Sequence, residues 1–294
     1  MTAYQDIYWQ SRDGLQLHAR DYPAMGDSRP SLPIICLPGL TRNARDFEDV
    51  ATWLAVQGKR TIAVDFRGRG LSDYDPKAKN YHPNTYAQDI LALMQEQKID
   101  RAHFIGTSLG GIVTATIAMR HGNRIGRVML NDIGPEANPK GIKRIGAYAG
   151  GKASIANWSD ADAYCRHVGA DVYPAFSDAD WRRFLRRTFR ETAEGKPRFD
   201  YDPAVARTVS PLQVRLLSLF LWPRFTRLAR KHPTLLLRGS LSDLLAPATV
   251  EKLKYKAPTL LTAEVANVGH APTLDEADAR TAIANFLGIT ENRT

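Results

Sequence analysis

At 294 residues the chain is large for one domain but ordinary for an α/β fold carrying an insertion. Its apolar fraction of 44% allows a sizeable core, and no apolar run approaches the roughly 20 residues that span a bilayer, so no membrane partner is expected. The formal charge of +9, from 40 basic and 31 acidic residues, comes without a nucleic-acid-binding motif, so nucleic acid is discounted as a partner.

The first residues, Met1 to Asp6, lack a basic segment followed by an apolar one, and no signal peptide is expected there. Cys36 and Cys165 are the only cysteines and lie far apart, which argues against a disulfide framework and for a cytoplasmic location. Segments Ile7 to Gln10 and Leu15 to Asp21 flank a turn at Arg12-Asp13-Gly14 and read as an antiparallel hairpin. Strands are then expected at Ile34 to Leu37, Thr61 to Asp65, Ala102 to Gly106 and Val128 to Asn131. Helical spacing occupies the gaps, at Phe47 to Val56, Tyr86 to Met94 and Leu109 to His121. Such alternation indicates a mostly parallel, doubly wound sheet with right-handed crossovers.

After Asn131 the rhythm breaks. From about Gly134 to Arg230 the chain is helical, aromatic and basic, and Trp181 to Arg190 reads as an amphipathic helix with arginines on a solvated face. The β/α pattern resumes at Thr234 to Arg238 and runs to Leu287. The expected organisation is a core of 1–133 and 231–294, with 134–230 inserted as a helical cap over the catalytic edge.

The motif that carries chemistry is Gly106-Thr107-Ser108-Leu109-Gly110, a G-x-S-x-G directly after a buried strand and at the start of a small-residue helix. A sharp turn there lifts the Ser108 hydroxyl out of the sheet, and the flanking glycines leave room for a crowded backbone. An alcohol needs a base to take its proton near neutral pH, and histidine has a suitable pKa. Gly269-His270-Ala271-Pro272 follows the last strand-like segment, Leu260 to Val268, which places His270 over the sheet edge. The orienting carboxylate is assigned to Asp243, on the loop after Thr234 to Arg238, with Asp132 at the end of the preceding strand as competitor. Oxyanion donors are expected at the amides of Leu109 and Leu40, since Pro38 has none to give. Arg42, Asn43 and Arg67 stand on loops that could approach the catalytic edge, where one of them or a cap arginine could pair with a substrate carboxylate, with a structural role for Arg67 as the plainer reading.

Taken in order, Leu37-Pro38-Gly39-Leu40, Asp65 to Ser72, the Ser108 turn, the Asp243 loop and Gly269-His270 resemble the α/β-hydrolase superfamily, and within it the capped esterases, lactonases and C–C bond hydrolases. The resemblance implies the α/β-hydrolase fold, a covalent acyl-enzyme and neither metal nor organic cofactor. It implies a small-molecule ester or lactone as substrate, with C–C hydrolysis of a vinylogous diketone acid or noncatalytic ligand reception as alternatives. Many relatives carry His-Gly where this chain has Pro38-Gly39. Serine at the elbow, where epoxide hydrolases and dehalogenases use aspartate, favours attack on a carbonyl.

Overall fold

The computed structural model describes residues 4–26, 31–150, 153–208 and 211–289. An eight-stranded sheet runs in the order β1-β2-β4-β3-β5-β6-β9-β10. Its strands are β1 (Gln5–Gln10), β2 (Gln16–Tyr22), β3 (Ile34–Leu37), β4 (Thr61–Asp65), β5 (Ala102–Thr107), β6 (Ile125–Asn131), β9 (Thr234–Gly239) and β10 (Leu261–Val265). The expected N-terminal hairpin is present: β1 and β2 pair antiparallel, β2 also meets β4 antiparallel, and the remaining pairs are parallel.

The central strands are apolar throughout because both faces are covered. Along them the side chains alternate between two clusters, as a period of two requires. Ile35, Leu37, Ile62, Val64, Phe104 and Leu130 face α2 (Pro83–Glu96), α3 (Leu109–His121) and α8 (Pro247–Lys256). Ile34, Cys36, Ala63, Ile105, Met129 and Leu237 face α1 (Glu48–Val56) and α9 (Ala277–Leu287). Helices on both sides therefore hold the C-terminal ends of β3, β5, β6 and β9 along one edge.

Between β6 and β9 the described chain forms α4 (Pro139–Ala149), α5 (Trp158–Gly169), α6 (Asp178–Thr188), a short hairpin of β7 (Phe189–Glu191) with β8 (Pro197–Phe199), and α7 (Pro211–Lys231). A separate apolar cluster, built on Ala161, Cys165, Trp181 and Phe189, sits among them. The amphipathic run splits here: α6 stops at Thr188, and Phe189 opens β7 with its ring against Phe199. In α7, Leu221, Phe225, Leu228 and Ala229 join the main core cluster. Tyr201 and Val205, before it, join the same cluster, so the segment between β6 and β9 packs on the core at several points. Cys36 and Cys165 are both buried and free.

Asp65, at the end of β4, is a buried hub that braces the glycine loop after it. Its carboxylate accepts from the amides of Ala44 (2.7 Å) and Leu71 (3.0 Å) and meets His18 Nδ1 at 2.7 Å. A side chain at Gly70, where φ is +55°, would place its Cβ 2.1 Å from that carboxylate, so glycine is required. Arg67, offered by the sequence as a substrate contact, lies elsewhere. It is wholly buried, and its guanidinium holds Asp89 (2.7 and 2.8 Å), Asp75 (2.6 Å) and Asp13 (2.8 and 2.9 Å). Burial pushes the Asp89 carboxyl up to about 6 against the pull of Arg67. The same guanidinium holds Asp13 well below the ordinary carboxylate range.

One cation among three carboxylates makes a substitution costly, because Asp75 and Asp89 would be left buried without their cation. Arg67→Met should lower the unfolding free energy by about 3–5 kcal/mol, measured by urea denaturation. Its KM for an ester should match that of the parent at a temperature where both are folded; an altered KM with unchanged stability would return Arg67 to the substrate.

Candidate active site

Ser108 joins β5 to α3 in a conformation that L-residues avoid, with φ 51° and ψ −113°. The neighbouring glycines make that turn possible by what they lack. A Cβ on Gly106 would lie 2.5 Å from the Gly111 nitrogen, and one on Gly110 would lie 2.1 Å from the Leu37 carbonyl oxygen. The Ser108 amide donates to the Asn131 carbonyl (3.0 Å), which pins the elbow to β6.

His270 Nε2 lies 3.0 Å from Ser108 Oγ, so the two residues the sequence singled out are in contact. The other ring nitrogen corrects the third assignment. His270 Nδ1 meets Asp132 Oδ2 at 2.8 Å, and not Asp243. Asp132 is completely buried at the end of β6 and accepts three bonds: from His270, from the Gly239 amide (2.9 Å) and from the Ser242 hydroxyl (2.6 Å). These acceptances fix the carboxylate, which fixes the imidazole so that Nε2 faces the serine. Asp243 instead gives both oxygens to Arg144 of α4, at 2.7 and 2.8 Å. Burial would raise the Asp243 carboxyl, but the guanidinium outweighs it and holds the group below the usual range.

Three contacts set the histidine loop. Asn131 Nδ2 donates to the Pro272 carbonyl (2.8 Å), Tyr173 Oη to the Ala271 carbonyl (2.8 Å), and the Gly269 amide to the Val172 carbonyl (2.7 Å). Val172 and Tyr173 belong to the inserted segment, so that segment helps position the base. None of these contacts is visible in sequence, since each spans some hundred residues.

The remaining candidates divide. Leu109 is the first residue of α3, so its amide has no intrahelical partner. Leu40 lines the cavity with Gly39 and Ser108, and among the described residues neither its amide nor that of Leu109 has an acceptor. Buried Arg69 holds the Leu40 carbonyl with two bonds, 2.8 and 2.9 Å, which fixes that loop. Gly39 has no positive φ, and a Cβ there would meet Arg42 and Ser108 at ordinary contact distances of 3.4 and 3.9 Å. Arg42 does line the cavity, but its guanidinium is spent on Asp46 (2.6 and 2.7 Å) and Thr188 (2.7 Å). Asn43 is buried and off the cavity wall. It caps the turn at Arg45 (3.0 Å) and donates to Asp200 (3.0 Å) and the Arg187 carbonyl (2.9 Å).

The cavity beside Ser108 holds about 170 Å³ and is walled by aromatic side chains of the inserted segment, among them Tyr148, Tyr164, Tyr173, Phe176 and Phe184. His18 makes the other histidine–carboxylate contacts of interest, to Asp65 (2.7 Å) and Asp6 (2.9 Å). It is buried in β2, and among the described residues no serine or cysteine side chain bonds its ring. Among the described residues no cluster of three His, Cys, Asp or Glu could hold a metal ion, and no helix is long and apolar enough to cross a membrane.

Comparison with known proteins places this geometry. The model of the alpha/beta hydrolase family matches residues 34–284. A 3-hydroxybutyrate-oligomer hydrolase of Cupriavidus necator is 30% identical over 280 residues, covering 92% of this chain and 94% of the relative. Esterase YbfF of Escherichia coli is 26% identical over 266 residues, covering 90% of this chain and 96% of the relative. The crystal structure of an alpha/beta hydrolase from Novosphingobium aromaticivorans superposes with a TM-score of 0.87 at 40% identity, covering 99% of this chain and all of that one (100%).

The two acids can be separated by isosteric substitution. Asp132→Asn should lower kcat on a neutral aryl ester by on the order of 10³–10⁴, because the amide favours the wrong imidazole tautomer. Asp243→Asn should change it by less than about tenfold, since it removes a contact to Arg144 and none to the histidine. Steady-state kinetics on both variants decides, and the reverse order of losses would make Asp243 the acid.

Proposed function

Because the chain belongs to the alpha/beta hydrolase family, we propose that it is a serine hydrolase that cleaves carboxylic esters through a covalent acyl-enzyme. The observation that carries this reading is the continuous contact from Ser108 Oγ through His270 to Asp132, at 3.0 and 2.8 Å. Ser108 Oγ attacks the ester carbonyl carbon while its proton passes to His270 Nε2. The imidazolium is stabilised by Asp132, and the new oxyanion is met by the Leu40 and Leu109 amides. Collapse expels the alcohol, which takes the proton from His270, and water then repeats the sequence in reverse to free the acid and Ser108. The inserted residues 134 to about 220 act as the cap that shapes the cavity.

The likeness to a 3-hydroxybutyrate-oligomer hydrolase and to an esterase supports an ester as the bond attacked. The cavity, at about 170 Å³, is smaller than the roughly 300–1,000 Å³ of pockets for drug-sized ligands, which favours short acyl chains. Noncatalytic ligand reception is disfavoured, because a receptor has no need of a nucleophile held on its base.

A fluorophosphonate probe should label the parent protein once, at Ser108, and leave Ser108→Ala unlabelled, read by intact-protein and peptide mass spectrometry. Nitrophenyl butyrate should be turned over at least about tenfold more efficiently than nitrophenyl laurate. A folded parent that takes no label and hydrolyses neither ester would favour the receptor alternative.

A further inference from the structure

The ionised groups on the cavity wall are not equivalent. Arg42 with Asp46, Arg183 with Asp180 and Arg187 with Asp49 each form a pair of which both members line the cavity, so each presents the cavity with a cation and its own counter-charge. Arg144 and Asp275 break that pattern, since each lines the cavity while its partner, Asp243 or Arg280, does not; of the two, Arg144 is the cation. Asp243 takes the Nε and Nη2 side of the guanidinium in a fork of 2.7 and 2.8 Å. A guanidinium carries five N–H donors, and that fork uses one from each nitrogen. The end-on edge, with both Nη1 protons and the second Nη2 proton, remains outside that fork, and the Tyr148 hydroxyl lies close enough to interact with the guanidinium. That edge has the donor spacing that grips a second carboxylate bidentately. Tyr148, one turn further along α4, also lines the cavity, and burial keeps its phenol protonated as a donor beside Arg144.

We propose that Arg144, held from behind by Asp243 and assisted by Tyr148, anchors a free carboxylate on the substrate, so that the site selects esters with an anionic end. This rests on the hydrolase reading above. It also moves the anionic contact from Arg42, whose three nitrogens are spent, to a residue of the inserted segment. The carboxylate can belong to the acyl part or to the alcohol part of the ester, and the two give different products.

The test uses two pairs of esters with the full-length protein. Nitrophenyl hemisuccinate carries the carboxylate on the acyl side and 3-(butanoyloxy)butanoate on the alcohol side; each is compared with its methyl ester. Nitrophenyl butyrate serves as the neutral control. The parent should prefer at least one acid over its methyl ester by about tenfold or more in kcat/KM, expressed in KM, the scale of one charge-assisted contact. The preferred acid identifies the side. Arg144→Gln should erase the preference while keeping the control within about threefold, and Tyr148→Phe, which leaves the Arg144–Asp243 pair intact, should reduce it by a smaller factor. The proposal is overturned if the parent prefers neither acid, if the preference survives in Arg144→Gln, or if Arg144→Gln loses acid and methyl ester equally. A parent inert to the control and to both pairs would overturn the hydrolase reading itself, and the anchor with it.

Discussion

One buried carboxylate organises this molecule's chemistry. Asp132 is fully removed from solvent at the end of β6, where an isolated charge would be very unfavourable. It is tolerated because Gly239, Ser242 and His270 all donate to it. Those donors come from β9, the loop after it and the loop after β10, so the carboxylate joins three neighbouring sheet connections at one point. Its own backbone, with φ at 51°, and that of Ser108, also at 51°, depart from the ordinary region on adjacent strands. Strain at two neighbouring positions is sustained because the parallel register of β5, β6 and β9 over-determines both.

The inserted segment contributes more than a roof. Along one side it is tied to the sheet through polar contacts: Asp200 pairs with Arg45, Arg187 with Asp49 (2.7 Å), and Arg42 donates to Thr188 (2.7 Å). Through Val172 and Tyr173 it also grips the loop that carries His270. Base position and cavity shape therefore share a support, and substitutions in the α5–α6 connection act on both. On the other side, α4 meets the core through the Arg144–Asp243 ion pair, through the Asn138 and Gly141 amides, which donate to the Leu244 and Asp243 carbonyls (2.8 and 3.1 Å), and through Ile142 and Ile145, which pack on the main cluster.

What could be read from the sequence follows from how local each feature is. The strands, the elbow at Ser108 and the loop of His270 are written in short contiguous patterns, so they were legible. The acid was not, because Asp132 and Asp243 both follow buried strands and both lie between Ser108 and His270 in chain order. What separates them is tertiary: Arg144, from the insertion, occupies Asp243, while Ser242 and Gly239 complete the shell of Asp132. The structural role of Arg67 was the plainer reading, but its partners were not legible, since two of its three carboxylates are 54 and 22 residues away. Its burial is a property of the packed loop, invisible in an arginine standing among glycines. Residues 134–230 are rich in aromatics, but which rings form the cavity wall depends on packing.

The claim that Asp132 holds His270 is open to direct observation. Proton NMR of protein labelled with nitrogen-15 at its histidines should show a far-downfield Nδ1–H resonance for His270, shared with the carboxylate. The resonance should survive in Asp243→Asn and vanish in Asp132→Asn. Its survival in Asp132→Asn together with its loss in Asp243→Asn would contradict the assignment.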